Sequence, residues 1–164
     1  RQEGKPVYVV DICGIADAKS LGADHTFCVT RGTQSDLSQR SDSRTIYERD
    51  IFRPTALKDM FTAFKNAGAG PACVFFMPVG GLLGRIPAEA RNTAMSVLAR
   101  HFDKLFDVLE PGGHIYMQRN PFFTHSWEQD EFMQHILNKP NVILEEGEMG
   151  GYLRARKMPP ESTK

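Results

Sequence analysis

Covalent and metal cross-links are nearly absent from this 164-residue sequence. It has three cysteines, Cys13, Cys28 and Cys73, each inside an apolar run, with no CxxC pair and no His/Cys cluster at metal-ligand spacing. That excludes a disulfide framework and gives no metal site. Buried free thiols in a reducing compartment, intracellular and cytoplasmic, are the expectation. An excess of one charge is also lacking, since 20 Lys and Arg balance 20 Asp and Glu. A surface built throughout for nucleic acid is therefore not expected, although a local patch is not excluded. No apolar run approaches the roughly 18 residues that span a bilayer, so no membrane partner is expected, and the N-terminus has no signal-peptide core. The five histidines, His25, His101, His114, His125 and His135, are scattered, with no Ser or Cys and carboxylate at triad spacing.

What the sequence does contain is alternation. β-Branched or aromatic apolar runs over 7–12, 26–30, 45–48 and 72–77 read as buried strands, as does 114–118 around its apolar centre Ile115 to Met117. Continuous apolar runs, as opposed to strict alternation, suit a sheet covered by helices on both faces. Helical patterns lie between them. A short one over 15–21 ends near Gly22. A stronger one over 55–66 has Pro54 before it, Thr55 as its cap, the stripe Leu57, Met60, Phe61 and Phe64, and Gly68 as its exit. The longest, over 87–109, places Met95, Leu98, Phe102, Leu105, Phe106 and Leu109 on one side; Pro111 ends it, and Gly112 and Gly113, both expected with left-handed backbones, turn the chain into the next strand. A further helix over 126–137 has Ser126 and Gln129 at capping-box spacing. Strands over 142–145 and 152–156, joined by a glycine-containing connection, form an antiparallel hairpin at the end of an otherwise parallel sheet. The segment 31–44 reads as an exposed loop or weak helix. The expected fold class is therefore α/β, with a Rossmann-like, mostly parallel sheet and a C-terminal antiparallel hairpin strand. The chain is expected to form one domain over 1–157 with a flexible tail over 158–164. Its start at Arg1, without methionine, is read as a processed product or a piece of a longer chain.

This element order, with Leu109-Glu110-Pro111-Gly112-Gly113 opening the fifth strand, resembles the S-adenosylmethionine-dependent methyltransferase superfamily of class I. The resemblance implies a cofactor, S-adenosylmethionine, at the carboxyl ends of the first four strands, where strand order reverses. Asp11 and Gly14, in Val10-Asp11-Ile12-Cys13-Gly14, resemble the acidic residue and glycine turn that meet the methionine moiety. Asp50 and Ile51 resemble the loop in which an Asp accepts from the adenine amino group and the next apolar residue packs on the ring. Met77 and Pro78 follow the fourth strand, where the family lines the path of the methyl group. Two positions depart from the pattern: only Gly14 of the usual glycines is present, and Arg31 stands where the family has a ribose-binding carboxylate. Two functions follow, a methyltransferase acting on an unidentified acceptor, or a degenerate fold without catalysis that serves as a binding or scaffolding module. A dinucleotide-dependent reductase, with Arg31 at a 2′-phosphate, ranks below both because the glycine fingerprint is missing. No catalytic residue is identified.

Overall fold

The β-branched runs become the strands of one seven-stranded sheet in the computed structural model, which describes residues 5–12, 18–30, 43–76, 87–118, 135, 138–140, 142–146 and 152–158. The elements are β1 (Tyr8–Ile12), α1 (Ala18–Leu21), β2 (His25–Thr30), β3 (Arg44–Glu48), α2 (Lys58–Ala67), β4 (Cys73–Phe76), α3 (Ala88–Val108), β5 (His114–Gln118), β6 (Val142–Glu146) and β7 (Tyr152–Lys157). The spatial order is β3-β2-β1-β4-β5-β7-β6. β1 to β5 pair in parallel, whereas β7 is antiparallel to both β5 and β6. The hairpin thus docks through its second strand and leaves β6 at the edge. Ala155, fully buried opposite Ile115, is the contact that seats β7 there.

Register decides which side chains share a face. Val10 and Ile12, with Phe27 and Val29 on β2, Val74 and Phe76 on β4 and Ile115 and Met117 on β5, form the core face. Met60 and Phe64 of α2 and Leu98, Phe102, Leu105 and Phe106 of α3 pack against it. Each such side chain contributes about 1.5–3 kcal/mol when fully removed from water. On the opposite face Val9, Cys28 and Ile46 are also buried, so the sheet is covered on both sides around β1 to β3. All six residues expected on the inner side of the long helix are buried, and Gly22 and Gly68 leave their helices with left-handed backbones at φ 66.

Two local expectations are corrected. Thr55 does not cap α2. Residues 51–57 form successive turns, with the Ala56 amide donating to the Arg53 carbonyl and the Lys58 amide to that of Thr55, and the helix begins only at Lys58, without a side-chain cap. Nor do both glycines after Pro111 take left-handed backbones: Gly112 does, at φ 81, but Gly113 is there for space. A Cβ on Gly113 would stand 2.8 Å from the Glu110 carbonyl oxygen and 2.9 Å from that of Ala72. The helix expected over 126–137 lies outside the described residues except for His135, whose Nε2 meets Asp103 of α3 at 2.9 Å. The loop over 31–44 is outside them up to residue 42, and the tail from residue 159.

At the far end of α3, Lys157 of β7 donates from Nζ to the carbonyls of Phe106, Asp107 and Leu109, each at 3.0 Å. An ammonium has three donors, and here they meet carbonyls that a helix end leaves without intrahelical partners.

Candidate functional site

Parallel strands β1 to β5 all deliver their carboxyl ends to one edge of the sheet. From β1 the chain moves outward to β2 and β3, then returns to the other side of β1 with β4, so a crevice is expected between the loops after β1 and β4. Of the residues matched to cofactor contacts, Asp11, Asp50 and Ile51 are described. Gly14, Met77 and Pro78 lie outside the described residues, as do Cys13 and Arg31.

Asp11 sits on β1 beside Cys28 of β2. Burial, and then the Asp11 charge, push the Cys28 thiol up to about 11 and the Cys73 thiol up to about 12. Neither forms a disulfide, and at such values both thiols stay protonated at neutral pH; Cys28 is buried as expected, whereas Cys73 is half-buried.

Asp50 lies just beyond β3, two strands across from β1 and four residues past Ile46, which is level with Asp11 in the register. Its Oδ1 accepts the Phe52 amide at 3.0 Å and its carbonyl accepts the Arg53 amide at 2.9 Å, so the side chain makes an Asx turn around Ile51. The carboxylate still has acceptor capacity beyond that one bond. Ile51 is only 4% exposed and belongs to the core, which fixes the turn from below. Phe52 is half-buried against the same core and offers apolar surface next to Asp50. From the α2 side, Arg49 donates to Asp59 at 2.8 Å; both side chains are about half-exposed, so this pair contributes little to stability.

The turn has a third support that the sequence pattern does not reveal. His101 of α3 is 1% exposed, and its Nε2 lies 2.8 Å from the Ile51 carbonyl oxygen and 3.1 Å from that of Arg53. Carbonyls only accept, so Nε2 carries the proton and donates to both. Its partners are 50 and 48 residues away and are main-chain atoms, which leave no side-chain signature to search for.

Burial is the main reason the His101 imidazole titrates below its usual 6.5; the two carbonyl bonds oppose that shift, and Lys104 and Arg100 add to it. Below pH 6.5 the unfolded chain takes up a proton that the folded chain refuses until lower pH. The folded state therefore loses stability as pH falls through 6.5 toward the depressed value. Melting curves between about pH 7 and 5 should show a decline that is shallower in His101→Gln, which has no proton to gain there.

A cavity of about 540 Å³ runs beside this loop between β3 and α2, lined by Tyr47, Glu48, Arg49 and Asp59 among others. Burial, ahead of the Asp59 charge, raises the Tyr47 phenol above its usual value. Another cavity, of about 300 Å³, opens at the opposite, amino edge of the sheet between Lys5, Glu110 and His114. It is remote from the strand ends where order reverses. Among the described residues no group of three or more His, Cys, Asp or Glu is arranged to hold a metal ion, and no helix is long and apolar enough to cross a membrane.

No protein-family profile and no curated protein matches the sequence. Solved structures do resemble the fold. NSun6 from Pyrococcus horikoshii, crystallised with SFG, aligns over 94% of this chain and 48% of its own, with a TM-score of 0.58 and 10% identity. A Listeria monocytogenes protein assigned as a class I S-adenosylmethionine-dependent methyltransferase aligns over 98% of this chain and 58% of its own, with a TM-score of 0.56 and 15% identity. The chain has the class I methyltransferase fold. A Streptococcus mutans protein assigned as a SAM-dependent methyltransferase agrees, with a TM-score of 0.52 and 11% identity over 94% of this chain. The chain spans 44% to 58% of the length of these three.

Proposed function

We propose that this methyltransferase-like domain binds S-adenosylmethionine along the carboxyl edge of β1 to β4 and transfers its methyl group to an acceptor brought in line with the sulfonium. The observation that carries the proposal is the Asp50 turn: a carboxylate with spare acceptor capacity, in a methyltransferase fold, held by its own Asx bond and by His101. In this reading Asp50 accepts from the adenine amino group, and the half-buried Phe52 supplies the apolar surface under the ring, with Ile51 buried beneath the turn. The methionine end is assigned to Asp11 and, by the sequence resemblance alone, to Gly14, and the path of the methyl group by the same resemblance to Met77 and Pro78. The separation of Asp11 and Asp50 by two strands suits an extended ligand with a nucleoside at one end and an amino acid at the other.

When bound, the cofactor supplies a methyl group already activated on a positive sulfur. What remains for the protein is alignment, which accounts for the lack of an identified catalytic base. NSun6, a fold neighbour crystallised with SFG, supports this ligand class. The alternative of a scaffold without cofactor is less favoured, because the solved structures that share the fold are of methyltransferases.

Calorimetric titration with S-adenosylmethionine and S-adenosylhomocysteine tests the proposal. Saturable micromolar binding is expected. Silence up to millimolar ligand would remove the enzyme reading for this chain.

A further inference from the structure

We infer that His101 is a positioning residue for the cofactor's adenine, acting at a distance through the main chain of the 51–53 turn; this rests on the adenine role proposed for Asp50. An Asp at a strand end has several staggered rotamers and a flexible backbone beneath it. Selecting adenine by its amino group requires the acceptor oxygen to be fixed before the ligand arrives, because a bond that must first order its acceptor loses affinity to that ordering. Three observations show how the turn is fixed.

The Asx bond sets the Asp50 side chain relative to the Phe52 amide, at 3.0 Å. The Arg53 amide closes the same turn onto the Asp50 carbonyl, at 2.9 Å. Both bonds are internal to the turn, so by themselves they let it swing as a unit. Ile51 seats the turn in the core, and His101 anchors its main chain to α3, since its single Nε2–H is shared between the carbonyls on either side of Phe52. The imidazole itself is buried: it projects from α3 with Leu98 and Phe102, both fully buried, as near neighbours along the helix. The long helix after β4 is thereby coupled to the loop after β3. A histidine that only needed a partner in the core would be satisfied by one carbonyl. Bridging two carbonyls across the residue whose amide orients Asp50 fixes the direction of the carboxylate.

The test compares S-adenosylhomocysteine with its analogue bearing hydrogen in place of the adenine 6-amino group, in the wild type, His101→Leu and His101→Gln. The wild type should prefer the amino compound by about tenfold, the worth of one hydrogen bond to a charged acceptor. His101→Leu, which abolishes the anchor, should reduce the preference to less than about threefold by leaving the acceptor unaimed. His101→Gln, whose amide N–H can reach the same carbonyls, should restore most of it. Combining Asp50→Ala with His101→Leu should be no worse than Asp50→Ala alone in this preference.

A purely structural His101 would weaken both ligands equally and leave the preference intact, and that result would overturn the inference while leaving cofactor binding in place. Absence of wild-type binding to either ligand would overturn both readings. A readout that needs no variant covers the case in which His101→Leu does not fold. The His101 Nε2–H nitrogen resonance should move on saturation with S-adenosylhomocysteine and move less with the analogue; equal or absent movement contradicts the coupling.

Discussion

Alanine at position 70 is expected to destabilise the protein by about 3 kcal/mol or more, the upper range for forced overpacking. Gly70 lies between α2 and β4, where the chain passes against the last turn of α3 with no side chain between the two backbones. A methyl group on its Cα would overlap the Val108 carbonyl oxygen, with the Val108 carbonyl carbon also within 2.9 Å. Backbone cannot yield as a flexible side chain would. The same passage is clasped by the Gly70 amide donating to Glu110 Oε1 at 2.9 Å and the Glu110 amide donating to the Pro71 carbonyl at 2.9 Å. Moving Gly70 away from Val108 therefore strains two further bonds. Gly68→Ala makes the control, two residues earlier. Its left-handed backbone costs about 1 kcal/mol with a side chain present, but nothing lies within 4 Å of the added carbon. Urea unfolding of the two variants should separate them clearly. Equal, small losses would mean that the approach of α3 to the 69–72 passage is looser than described.

Asp50→Ala is expected to weaken S-adenosylhomocysteine binding by roughly 10- to 100-fold, the range for losing a hydrogen bond to a charged group. The substitution removes the acceptor offered to adenine and also the bond that holds the Phe52 amide. Asp50→Asn separates the two effects. Its side-chain oxygen can keep the Asx turn, and the other half of the amide becomes a donor facing a donor. The turn should survive in Asn and the affinity should fall by an intermediate amount. Calorimetry measures the affinities, and amide exchange at Phe52 reports the turn. Wild-type affinity in Asp50→Ala would place the ligand elsewhere.

Much of this architecture is legible in the residues because burial follows period. The three- and four-residue spacing of Leu98, Phe102, Leu105 and Phe106 dictates which side of α3 meets the sheet, and that side is buried. The β-branched runs likewise become the strands, because a sheet covered on both faces has no solvated side to require alternation. What sequence reading misses are contacts between backbones that are distant in the chain. Gly70 stands in an Ala-Gly-Ala-Gly-Pro stretch that looks like an ordinary turn, and its steric role depends on where Val108 arrives. Thr55 has the right chemistry for a cap, but the turns after Asp50 use up the chain before a helix can begin. The place of β7 inside β6 could not be read from hairpin spacing, since either strand of a hairpin can dock; the burial of Ala155 decides it. For the candidate site, Asp50 was legible through resemblance. His101 was not, because its partners are carbonyls.

The central claim is that a nucleoside cofactor lies along the carboxyl edge of β1 to β4. Amide chemical-shift mapping during a titration with S-adenosylhomocysteine tests this most directly. The account predicts that the largest shifts fall on Asp11, Ile12 and the 50–53 turn, while Lys5, Gly112, Gly113 and His114 around the amino-edge cavity stay still. Shifts concentrated at that opposite cavity, or none at saturating ligand, would contradict it.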